Sequence, residues 1–164
     1  MKEFLQGRRL GFALRSHLAF GAAGLGLAVT ITDLMAWFAL GSRDTSGFAI
    51  VAQWLCVTTM LVAGKAAIAA VVERWDVVDE ERGLARVDIL AAVAALILYG
   101  ASAVLRSLEL GDPAPSPAPF LLAIAGFIVL VADAGLAANM YSSREWEELD
   151  EEPVREHRRR RVAR

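Results

Sequence analysis

Residues 48 to 72 read "FAIVAQWLCVTTMLVAGKAAIAAVV", twenty-five positions with one charged side chain, Lys65. As a helix rising about 1.5 Å per residue the stretch is about 37 Å long, enough to cross a hydrocarbon core of ~30 Å. Backbone polar groups cannot go unpaired in lipid, and a run of this length without strict alternation is a helix and not a barrel strand. Three further apolar stretches flank it in sequence: Leu18 to Leu40, Asp88 to Leu105 and Pro119 to Tyr141. The expected fold is therefore all-α, a polytopic bundle of four transmembrane helices over about 18–40, 48–72, 88–105 and 119–141.

Composition agrees. The chain has 164 residues, of which 56% are hydrophobic, and its mean hydropathy is +0.45. Soluble domains hold roughly 45–50% apolar residues even with glycine counted. Most of the 17 basic and 19 acidic residues gather before residue 16, between 73 and 88, and after 143. Three regions follow: a basic N-terminal segment over 1–17, the four-helix domain over 18–141, and a charged tail over 142–164. The first apolar run is longer than the 7 to 15 residues of a signal-peptide core and no A-x-A site follows it, so it is expected to remain in the mature protein.

Fourteen Lys and Arg residues flank one side of the expected spans and two, Arg43 and Arg106, flank the other. This asymmetry predicts a multi-pass protein of a bacterial cytoplasmic (inner) membrane with both termini in the cytoplasm. The tail run Arg158, Arg159, Arg160 and Arg161 is expected to meet anionic lipid, and no nucleic-acid motif accompanies it. The connection "GDPAPSPAP" holds four prolines, favouring a stiff, extended link, and Pro119 suits a helix start because its missing N–H would be unpaired there anyway. Small residues recur four apart, as at Ala22 and Gly26, Ala63 and Ala67, Ala66 and Ala70, Ala91 and Ala95, and Ala134 and Ala138, which lets neighbouring backbones approach closely.

Charges at membrane depth carry the functional information, because each is costly there unless paired. Lys65 and Asp133 lie at about 10 and 12 Å from the same boundary, which predicts an intramembrane ion pair. The alternative is that Lys65 extends along its own stem to the headgroups. Nearer the other side, Asp33 is expected to form a polar cluster with Gln53 and Arg106. Thr30, Thr58 and Thr59 could extend a polar seam, or bond their own helix backbones.

Enzyme chemistry finds little support in these residues. His17 and His157 are the two histidines and Cys56 the one cysteine, too few for a haem or a metal site within one chain. No nucleophile, base and acid set or phosphate loop occurs, so no catalytic, cofactor or metal residue is assigned.

Given His17 before the first span, Asp33 late in it, "ERGLARVDILAAVAALILYGASAVLR" leading into and through the third, and Tyr141 closing the fourth, the chain resembles a family of small bacterial four-helix membrane proteins that carry a domain of unknown function. It departs from that family in having Arg86 or Asp88 where members tend to place a histidine, and Ala137 and Ala138 where they tend to have a Gly-Gly step. The resemblance implies the architecture and no activity. The sequence reads as a structural or accessory subunit, with partner membrane subunits or a homo-oligomer as its company. The alternative is a small proton-coupled or cation transporter using Asp33, Lys65 and Asp133.

Overall fold

A computed structural model describes residues 14–41, 44–74, 82–110 and 112–162, with side-chain surroundings given as far as residue 139. The expected basic segment before residue 14, Arg43 and the surroundings of Arg158 to Arg161 lie outside the described residues.

The described chain is helical: α1 (Leu14–Trp37), α2 (Ser46–Glu73), α3 (Arg82–Leu108) and α4 (Pro117–Val162). All four are long and apolar enough to cross a membrane, α4 over Pro117–Asn139, so the chain is a multi-pass membrane protein. The helices form a four-sided ring in which α1 and α3 each pack against α2 and α4, leaving α1 and α3 on one diagonal and α2 and α4 on the other. The α1–α2 and α3–α4 loops share one end of the bundle, here the hairpin end. The start of α1 and the α2–α3 connection share the other, the terminal end.

The helices reach further into the flanks than the apolar runs do. The sequence "RGLAR" before Val87 is made largely of good helix formers, so α3 begins at Arg82 and carries Asp88 well inside its first turns. Pro117 and Pro119 both fall in the first turn of α4, where proline removes no intrahelical hydrogen bond. α1 stops earlier than expected. Its end is a Schellman turn in which the Leu40 N–H donates to the Met35 carbonyl (3.0 Å), and the residue forced into the left-handed region is Ala39, at φ 48°. The two hairpin loops are tied together there. Trp37 Nε1 donates to the Pro115 carbonyl (2.7 Å), the Thr45 hydroxyl donates to the Pro113 carbonyl (2.8 Å), and the Trp37 and Phe120 rings stack at 4.9 Å.

Packing is inside-out relative to a soluble bundle. The buried apolar residues are mostly alanine, whereas Phe20, Leu27, Trp54, Leu61, Leu90, Ile97, Leu121 and Ile128 face outward. Such a surface suits lipid, and small interior residues let the helices close tightly. The four-apart pairs lie mostly on the interior side: Ala22, Gly26, Ala63, Ala67, Ala66, Ala70, Ala95 and Ala134 are buried, whereas Ala91 and Ala138 are half-buried.

Candidate functional site: two buried ion clusters

The interior stripe of α1 runs Arg15, Ala19, Ala22, Gly26, Val29, Asp33, Ala36, alternating steps of four and three. This is the heptad spacing of a helix that keeps one seam toward its partners. The stripe of α3 follows the same rhythm through Ala85, Asp88, Ala92, Ala95, Tyr99, Ser102 and Arg106. Each stripe carries a charge near either end, eighteen residues or about 27 Å apart, and the order of signs is opposite on the two helices. Since α1 and α3 run parallel across the diagonal, Arg15 meets Asp88 at the terminal end and Asp33 meets Arg106 at the hairpin end.

At the hairpin end the pairing is two-pronged. Arg106 Nη1 donates to Asp33 Oδ1 (2.7 Å) and Nη2 to Oδ2 (2.5 Å). Arg106 Nε donates to the Ser102 hydroxyl (3.1 Å), which donates on to the Pro119 carbonyl (2.7 Å). The fork geometry of a guanidinium matches a carboxylate, and the Ser102 link extends the network to α4. Both side chains are almost completely buried.

At the terminal end one guanidinium serves two carboxylates. Arg15, fully buried, donates from Nε to Asp88 Oδ2 (3.2 Å), from Nη2 to Asp88 Oδ1 (2.8 Å), and again from Nη2 to Asp133 Oδ1. Three helices are thereby joined through a single side chain. Arg15 Nη1 and Asp133 Oδ2 are buried without a hydrogen-bond partner among the described residues, so there this cluster keeps an unused donor nitrogen, an unused acceptor oxygen and an excess of one carboxylate.

Between the clusters the buried core is made mostly of alanine and other small residues, with Leu130 and Tyr99 as its large members. The Tyr99 ring fills the space left by two glycines: a Cβ on Gly26 would lie 2.5 Å from its hydroxyl, and one on Gly126 would lie 2.8 Å from Cε2. The hydroxyl itself has no hydrogen-bond partner among the described residues. Gly26 and Tyr99 differ by seventy-three positions, the same offset that relates Arg15 to Asp88 and Asp33 to Arg106. All three contacts therefore report one register between α1 and α3.

Several sequence expectations are redirected by this geometry. The Lys65–Asp133 pair gives way to Arg15–Asp133: α2 and α4 stand on a diagonal, and Lys65 is exposed on the outside of the bundle. Matching depth placed the two residues at one level but said nothing about the angle around each helix. Asp33 and Arg106 are brought together, whereas Gln53 turns to α3, where its Nε2 donates to the Ala103 carbonyl (3.3 Å). The threonines form no seam, because Thr30, Thr58 and Thr59 each donate to a carbonyl four residues back on their own helix. Arg15, Asp88 and Tyr99 went unassigned in the sequence, Arg15 and Asp88 because they sit at the edges of the apolar runs and read as flanking charges. The signal that finds them is heptad phase, since both fall in step with the alanines of their stripes. Among the described residues no group of His, Cys, Asp and Glu is placed to hold a metal ion.

Comparison with known proteins finds no match: no family model, no curated protein and no solved structure is similar to this chain.

Proposed function

We propose that this chain is a structural or accessory component of a membrane complex, working in a bacterial cytoplasmic membrane with both termini on the cytoplasmic side. The observation that carries this reading is that five buried charges, Arg15, Asp33, Asp88, Arg106 and Asp133, are engaged with one another. Ionisable groups that line a conduction path need access to water or a moving ion, and groups held this way instead clamp helices. A clamped bundle with a large-residue apolar exterior presents a rigid face to lipid and to neighbouring subunits. Orientation rests on the flanking Lys and Arg, thirteen against one once the buried Arg15 and Arg106 are set aside. The test is native purification in mild detergent with identification of what accompanies the chain. Co-purifying membrane subunits in fixed proportion support the reading, and a lone monomer refutes it.

The transport alternative draws on a different observation, the surplus carboxylate and the unpartnered Arg15 Nη1 and Asp133 Oδ2 at the terminal end. In that reading Asp133 exchanges a proton or small cation with Arg15 and Asp88 as neighbours, and Lys65, on the outside of the bundle, drops out. Ion or proton flux in liposomes that disappears in Asp133→Asn, in protein that remains folded, would favour it over the structural reading.

A further inference from the structure

Lys65 is the charged group at membrane depth that the interior leaves unused. It lies eight residues before Glu73, about 12 Å from the terminal end of α2, and it is exposed. It does not stand on a bare surface. It lines an open groove of about 550 Å³ formed by Met60, Leu61, Gly64 and Ile68 of α2 with Leu96 of α3, a volume in the range of ligand sites. Gly64 keeps the groove deep, with no side chain of its own to fill the space beside Leu96. Arg86 is also exposed. It precedes Leu96 by ten residues, hence about 15 Å nearer the terminal end and about 80° round α3, on the side away from the core stripe. The groove is thus apolar along its length with an ammonium partway down, and residue counting along α3 sets the Arg86 guanidinium past its lining, toward the terminal end.

We propose that this groove binds an anionic phospholipid from the leaflet on the terminal side, one acyl chain lying along α2 and α3 and the phosphate held between Lys65 and Arg86. The lysine stem snorkels toward the mouth, and the arginine fork receives phosphate oxygens. A charge facing hydrocarbon requires an anion or water within reach, so the position of Lys65 itself calls for such a ligand. A second copy of this chain is a poor occupant, because Asp33, Asp88 and Asp133, the carboxylates it carries deep in its spans, are already taken inside its own bundle.

The test reconstitutes the full chain in bilayers of mixed phosphatidylcholine and phosphatidylglycerol and counts retained lipids by native mass spectrometry. The wild type should enrich phosphatidylglycerol over phosphatidylcholine. Lys65→Met should lower that enrichment about fivefold, the factor corresponding to one basic residue near the membrane surface, and Lys65→Arg should preserve it. Gly64→Leu, which fills the groove without altering charge, should lower retention of both lipids. Equal retention in Lys65→Met and wild type overturns the proposal. So does a Lys65→Met protein that keeps its lipid but loses a partner subunit, since the anion would then be a partner's carboxylate. Lys65 is exposed, so thermal unfolding should be unchanged and the comparison is made between folded proteins.

Discussion

Removing one member of the Asp33–Arg106 pair tests whether the buried charges are structural. In Asp33→Leu the Arg106 guanidinium, 4% exposed, loses both of its carboxylate bonds and retains Ser102 alone. Breaking a buried pair from one side leaves an uncompensated charge and costs about 3–5 kcal/mol. Arg106→Met strands the Asp33 carboxylate, whose hydrogen bonds among the described residues are those from Arg106, at a similar cost. Leucine and methionine together remove both charges and restore apolar contact, so the double variant forfeits chiefly the Arg106–Ser102 bond, about 1 kcal/mol. The expected coupling is therefore large, about 5–9 kcal/mol, against losses that would sum to about 6–10 kcal/mol if the residues were independent. Unfolding of purified protein in mixed micelles, titrated with a denaturing detergent and followed by circular dichroism, measures each corner of the cycle. Added salt should leave the coupling nearly unchanged, because a pair this deep is poorly screened. Additive losses in the double variant would refute the clamp and return Asp33 to the class of groups kept for an ion.

Three further outcomes follow from local geometry. Gly26→Ala should destabilise by about 1–3 kcal/mol through its clash with the Tyr99 hydroxyl; Tyr99→Phe removes that oxygen and should rescue Gly26→Ala but not Gly126→Ala, whose clash is with ring carbons, as thermal unfolding would show. Ala39→Gly should stabilise by about 1 kcal/mol, because glycine enters the left-handed region at φ 48° without the strain a Cβ imposes. Glu109 accepts bonds from the Ser116 hydroxyl (2.5 Å) and N–H (3.0 Å), which hold its carboxyl below the usual glutamate range. Its folded value is depressed, so its contribution is present above about pH 4.3 and is lost as pH falls through the folded value. Ser116→Ala should weaken that acid dependence in an unfolding series, and an unchanged slope would count against it.

Much of the fold was legible because each span is a long, nearly uncharged run whose meaning does not depend on neighbours. The site was legible only in part. Depth along a helix follows from residue counting, so Asp33 and Arg106 could be placed at one end of the bundle. Which helix faces which depends on the angle around each axis, and an alanine-rich sequence has little contrast between faces to reveal it. Lys65 shows the consequence. Its level was readable and its direction was not, and the diagonal arrangement of α2 and α4 sends it outward. Arg15 and Asp88 were obscured for the opposite reason: they lie where a charge is ordinary, and only their phase with the buried alanines marks them as interior.

The opposed charge order on α1 and α3 also bears on how the two hairpins recognise each other. Aligning the stripes at the offset of seventy-three sets Arg15 on Asp88, Gly26 on Tyr99 and Asp33 on Arg106. Sliding α3 by one heptad moves each charge about 10 Å from its partner and drives the Tyr99 ring against a side chain in place of a glycine. Pairing two copies of the first hairpin in the same parallel arrangement would set Arg15 on Arg15 and Asp33 on Asp33, and pairing two copies of the second would oppose two tyrosines where one fills the space. An apolar interior built from alanine discriminates weakly among registers, since one alanine packs much like the next. Two charge pairs at the ends and one ring in the middle restore the discrimination, and they do so with contacts that are wrong in every arrangement but one.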